Sequence, residues 1–125
     1  MPAAIKRVIY LVDDDPDVRD SMSVLLDSYG LTTKAYASAR AFLADPSRSK
    51  GGCLVLDLHM PEMSGLELLE VLRQEGSSLP AIVFTGRGDA NLQEQVQRAG
   101  ALALFAKPVD TDALVETIDA ILAAD

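Results

Sequence analysis

Five times along this chain a short apolar run gives way to a stretch whose apolar residues recur at helical spacing, and this alternation restricts the fold more than any other property of the sequence. The first run, Val8-Ile9-Tyr10-Leu11-Val12, is continuous and rich in β-branched residues, as in a strand buried on both faces of a parallel sheet. Asp15-Pro16 then reads as an N-cap with proline at the first helical position, and Val18, Met22, Leu25, Leu26 and Tyr29 line one face until Gly30. Leu31 to Tyr36 alternates apolar with polar residues, as expected of a half-covered edge strand. Ser38 caps a shorter helix carrying Ala41, Phe42 and Leu43, which breaks at Asp45-Pro46 before a polar loop.

The third run, Leu54-Val55-Leu56-Asp57, ends in a turn-forming segment from Met60 to Gly65, and a helix follows over Leu66 to Glu75 with Leu68, Leu69 and Leu72 inward. Pro80 to Phe84 is a fourth strand. Asp89 caps a fourth helix bearing Leu92, Val96 and Ala99, and Ala101 to Ala106 is a fifth strand closed by Lys107-Pro108. A last helix starts at Asp110, Thr111 or Asp112 and turns Leu114, Ile118, Ile121 and Leu122 inward. Strands separated by such helices make right-handed parallel crossovers, so the expected class is a doubly wound α/β sandwich of five parallel strands and five helices. The order 2-1-3-4-5 makes the alternating second strand an edge and keeps the apolar first, third and fourth strands central. A length of 125 residues suits one domain over 1–125.

A carboxylate closing a buried strand is costly to desolvate and needs a cation, donors or a ligand beside it. Asp57 is such a group, the first strand ends at Asp13-Asp14-Asp15, and the fifth ends at Lys107. In a parallel sheet of this order the ends of the first and third strands flank the switch point, where ligands bind. Asp13, Asp14 and Asp57 would raise one another's pKa unless a counter-ion joined them. Magnesium, with manganese as the alternative, suits one or two carboxylates plus waters and phosphate oxygens. Lys107 adds a mobile positive charge and Thr85 a hydroxyl donor. Asp57 could then serve as a nucleophile, since phosphoryl transfer to a carboxylate needs chiefly alignment and charge neutralisation.

The ordered set Asp13-Asp14, Asp57 followed by Met60-Pro61, Ser64-Gly65, Thr85-Gly86 and Lys107-Pro108 resembles the receiver domain of two-component response regulators over essentially the whole chain. The Thr85-Gly86-Arg87-Gly88-Asp89 run and the Ala99-Gly100-Ala101 join resemble in particular the nitrogen-fixation regulators, whose receivers precede a helix-turn-helix domain. The resemblance implies that Asp57 is the phosphoacceptor, Asp14 a direct magnesium ligand, Asp13 a second acidic ligand acting through water, and the His59 backbone carbonyl the remaining protein ligand. It further implies that Lys107 contacts the phosphoryl group, that Thr85 bonds a phosphoryl oxygen after transfer, that Lys107-Pro108 is cis, and that the donor is a sensor histidine kinase. One position departs from the pattern: receivers place an aromatic switch residue three before the lysine, and here Leu104 stands there with Phe105 beside it.

Plainer readings account for the remaining candidates. Asp15 is a helix cap, the ring of His59 is exposed, Met60 and Met63 pack the loop, and Cys53 is a core thiol in a reduced, cytoplasmic setting. The opening seven residues lack a signal-peptide core, no segment has the length of a membrane span, and a net charge of −8 disfavours direct contact with nucleic acid or an anionic membrane. The fifth strand is apolar on both faces at an expected edge, so the fourth helix, fifth strand and fifth helix are the expected face for phosphorylation-dependent homodimerisation or effector contact. Competing functions are a receiver-like scaffold independent of phosphorylation, supported by Leu104, a phosphatase whose usual second Asp is replaced by His59, and a flavodoxin-like carrier whose acidic switch point would repel a flavin phosphate.

Overall fold

The computed structural model describes residues 8–48, 51–86 and 90–123. In order the elements are β1 (Val8–Val12), α1 (Pro16–Ser28), β2 (Thr32–Tyr36), α2 (Ala39–Ala44), β3 (Cys53–Asp57), α3 (Gly65–Gln74), β4 (Ala81–Thr85), α4 (Ala90–Arg98), β5 (Ala103–Ala106) and α5 (Thr111–Ala123). All strands pair in parallel in the order β2-β1-β3-β4-β5, as the alternation of runs requires.

Side chains alternate along each strand and so divide between two cores. Tyr10, Val12, Leu54, Leu56 and Val83 join Phe42 of α2, Leu68, Leu69 and Leu72 of α3 and Val96 of α4. Ile9, Leu11, Cys53, Val55, Ile82 and Phe84 join Leu26 of α1 and Leu114, Val115 and Ile118 of α5 on the other face. β1, β3 and β4 are buried throughout, whereas β2 is mostly exposed, which is why its sequence alternates.

Local chemistry sets the helix ends. The Asp15 carboxylate accepts from the Asp17 amide 2.9 Å away and Pro16 follows at a position that needs no donor. Ser38 caps α2 by accepting from Ala41 at 3.0 Å. Ser64 and Glu67 make a reciprocal capping box at the start of α3.

The structure differs from the sequence reading at several places. Tyr29, expected on the inner face of α1, is exposed because it is the C-cap, beyond the last residue of regular helix. The second strand starts at Thr32 rather than Leu31, which instead tucks into the α1/α5 core. The fifth begins at Ala103, leaving Leu102 63% exposed while Ala101 is buried. β4 extends to Thr85, and α3 begins at Gly65. The expected Asp89 cap lies outside the described residues. Cys53 is fully buried and burial pushes its thiol up to about 12, so it is the inert core group its position suggested.

Candidate functional site

The carboxyl ends of β1, β3, β4 and β5 lie along one edge of the sheet. Register brings Val12 opposite Leu56, Asp57 opposite Phe84, and Thr85 opposite Ala106. The residues that follow or close these strands, Asp13, Asp57, Thr85 and Lys107, therefore converge.

Asp13, Asp14 and Asp57 each present a carboxylate oxygen within 4.8 Å of the others. Asp13 and Asp57 are buried and Asp14 is exposed, so the cluster has a floor of two acids and one at its mouth. The Lys107 ammonium stands 3.7 Å from Asp13 Oδ2 and 3.6 Å from Asp57 Oδ1, bridging the buried pair. Thr85 is wholly buried at the end of β4, and its carbonyl accepts the Lys107 amide at 2.8 Å, which ties the hydroxyl-bearing residue to the lysine-bearing one. The Lys107–Pro108 bond is cis.

The loop holding the acids is anchored from several sides. Asp13 Oδ1 accepts from the Asp15 amide at 2.9 Å, the Asp13 amide donates to Tyr36 O at 3.1 Å, and Arg19 Nη1 donates to the Asp13 carbonyl at 2.8 Å. Burial pushes the Asp13 carboxyl above its usual range; the Asp15 amide and Lys107 oppose the shift, and the charges of Asp57 and Asp14 reinforce it.

Asp13 Oδ2 is buried with no hydrogen-bond partner, the Lys107 ammonium at 3.7 Å standing beyond hydrogen-bond reach, an arrangement that leaves this oxygen a coordination position for a second cation. Together with the all-oxygen character of the cluster, this fits a hard divalent ion such as magnesium. The three acids come together as the sequence suggested, with Lys107 against two of them and Thr85 closing β4, the strand next to the one that Asp57 closes. His59 is exposed, as expected of a solvated loop histidine. Leu104 packs on the α2/α3/α4 core, whereas Phe105 packs on the other face edge-to-face with Phe84, with centroids 6.4 Å apart. Strand alternation thus keeps Phe105 from taking the place of an aromatic at position 104.

The β3–α3 loop has features that sequence reasoning did not single out. Glu62 adopts a φ of +69° at the centre of a tight turn in which the Met63 amide donates to Pro61 O at 2.9 Å. Gly65 opens α3 directly against the backbone just past the phosphoacceptor candidate, and its amide donates to Leu58 O at 2.9 Å. A Cβ there would lie 2.8 Å from Asp57 O and 2.9 Å from Leu58 Cα, both immovable main-chain atoms. Gly65→Ala is accordingly expected to cost about 1–3 kcal/mol in urea unfolding by overpacking, and to shift the Asp57 and Leu58 amide resonances. A destabilisation under about 0.5 kcal/mol with those resonances unmoved would show that α3 is free to step back.

Comparison with known proteins gives a consistent result. The response regulator receiver domain family model matches residues 9–119. The response regulator protein TodT of Pseudomonas putida is 42% identical over 115 residues, covering 92% of this chain and 51% of that protein. The transcriptional regulatory protein FixJ of Rhizobium meliloti is 39% identical over 111 residues, covering 89% of this chain and 54% of its own length. The chain thus spans about half the length of these curated relatives. Among solved structures, FixJ-N superposes with a TM-score of 0.83 at 38% identity, over 90% of both chains.

Proposed function

Because the chain belongs to the response regulator receiver family, a signalling domain of two-component systems, we propose that it is a switch whose phosphoacceptor is Asp57 and whose domain spans 1–125. The observation that carries this reading is the Lys107 ammonium held between Asp57 and Asp13 in a pocket of three carboxylates. An Asp57 oxygen forms the bond to phosphorus as the phosphorus–nitrogen bond to a sensor kinase's histidine breaks, and the electron pair leaves with the imidazole nitrogen. Lys107 sits where it would bind the incoming phosphoryl oxygens, and Thr85 would donate its hydroxyl to one of them after transfer. Asp14, Asp57, Asp13 through water and the His59 carbonyl would hold magnesium, with manganese as a substitute. When bound, that ion supplies neutralisation of the charge gathered on the phosphoryl oxygens and the acids.

The output is proposed to leave through α4, β5 and α5, where exposed Leu102 lies beside an edge strand, as a phosphorylation-dependent homodimer or effector contact acting on transcription in the cytoplasm. The names of FixJ and TodT support a regulatory output, and the additional length of those relatives supports its lying in a separate part of the protein. The domain itself, at a net charge of −8, is not proposed to touch DNA. Among the described residues no helix is long and apolar enough to cross a membrane.

Intact-protein mass after incubation with acetyl phosphate tests the reading. One added phosphoryl group that requires magnesium and disappears with a chelator is the expected result. No addition to a folded, magnesium-supplied protein would refute the phosphoacceptor role and favour a scaffold that works without phosphorylation.

A further inference from the structure

We propose that Arg19 is a positioning residue for the metal side of this site, fixing the peptide between Asp13 and Asp14 so that both carboxylates face a common ion; the proposal rests on the magnesium-dependent reading above. Arg19 lies in the first turns of α1, and its amide donates to Asp15 O at 3.0 Å, so its main chain is set by the helix that Asp15 caps. Its half-buried side chain runs back over that turn, and Nη1 meets the Asp13 carbonyl at 2.8 Å. A carbonyl and the peptide nitrogen after it share one rigid plane, so holding Asp13 O also orients the bond into Asp14. The other anchors of this loop act on either side of that plane: Asp13 N on Tyr36 O fixes the peptide before Asp13, and Asp15 N on Asp13 Oδ1 ties the peptide after Asp14 to the Asp13 carboxylate. Arg19 holds the plane itself, which matters most for Asp14, the exposed acid of the cluster.

The sign of the effect separates positioning from simple electrostatics. A guanidinium one residue from a cation site repels the cation, so losing its charge would tighten magnesium binding if charge were its only influence. Loss of an orienting partner does the reverse, by about 10- to 100-fold in metal affinity where ligands depend on such contacts. We expect Arg19→Ala to weaken magnesium binding, measured by calorimetry, by about tenfold. Acetyl phosphate labelling should return to near the wild-type rate at saturating magnesium, because Asp57 and Lys107 are untouched. In the metal-free protein the Asp15 amide should exchange several-fold faster, since its acceptor loop is released. Arg19→Lys, which keeps a charged donor on a long stem, should restore affinity to within about threefold of wild type. Should the alanine variant fail to fold, Arg19→Gln carries the same expectation of weakened binding.

Magnesium affinity that is unchanged or increased in a folded Arg19→Ala or Arg19→Gln protein would overturn the proposal, as would a lysine variant no better than alanine. A wild-type protein that takes up no magnesium would overturn the reading of the site itself and Arg19's part with it. Wild-type binding and labelling beside an unaffected Arg19 variant would remove Arg19 alone.

Discussion

Asp57→Asn is expected to abolish phosphoryl labelling completely and to leave a folded protein. The amide lacks the anionic oxygen that attacks phosphorus; of the two acids left in the cluster, Asp13 is buried with Oδ1 already accepting from the Asp15 amide, and exposed Asp14 is the proposed direct metal ligand. The folding consequence is a balance of two opposed changes. The substitution removes repulsion of Asp57 on a buried Asp13 whose carboxyl is already pushed up, and it also removes the Lys107 attraction at 3.6 Å. The melting temperature should therefore stay within about 5 °C of wild type. Mass spectrometry after acetyl phosphate and magnesium gives the answer directly, and a phosphoryl group retained on the asparagine protein would move the acceptor to another acid.

The largest stability effect is expected far from the acids, at Phe42. This ring is fully buried, meets Tyr10 and Tyr36 edge-to-face with centroids 5.7 and 5.3 Å away, and lies under the Arg48 guanidinium at 5.7 Å. It is the anchor by which the six-residue α2 closes one face of the sheet. Phe42→Ala should cost about 3–5 kcal/mol, combining lost transfer free energy with a cavity that rigid aromatic neighbours cannot collapse into. That corresponds to a melting temperature lower by roughly 10–20 °C. Phe42→Leu should recover most of the loss, and magnesium-dependent labelling of the folded fraction should match wild type. A cost below about 1 kcal/mol in urea unfolding would mean that α2 repacks around the gap.

Much of the fold could be read from periodicity, because strands buried on both faces must be apolar throughout and the mostly exposed edge strand β2 must alternate. The site was legible for a related reason: Asp57, Asp13 and Lys107 each interrupt or close an apolar run, and charge in such places demands a partner. What escaped the sequence are contacts whose chemistry is ordinary and whose geometry is not. Arg19 looks like any helix arginine until its side chain is seen folded back to Asp13 O. Gly65 reads as a turn residue, although it is the close approach of α3 to the Asp57 carbonyl that excludes a side chain. Ser64 and Glu67 did carry a legible signal, the serine and glutamate spacing of a capping box. Periodicity places Tyr29 inward because it does not say where a helix stops, and Gly30 at φ +80° ends the helix one residue sooner than the pattern suggests.

Cys53 stands at the opposite end of the five-residue strand that terminates in Asp57, fully enclosed by the sheet and by α1 and α5. A thiol-modifying reagent cannot reach it from solution, so each modification event counts one excursion in which the middle of the sheet comes apart. The protein thereby carries a built-in clock for its own rare openings, read at a single sulfur. Because the strand it sits in also delivers the phosphoacceptor, the ticking rate before and after phosphorylation measures how far charge placed at one end of β3 tightens or loosens the whole domain.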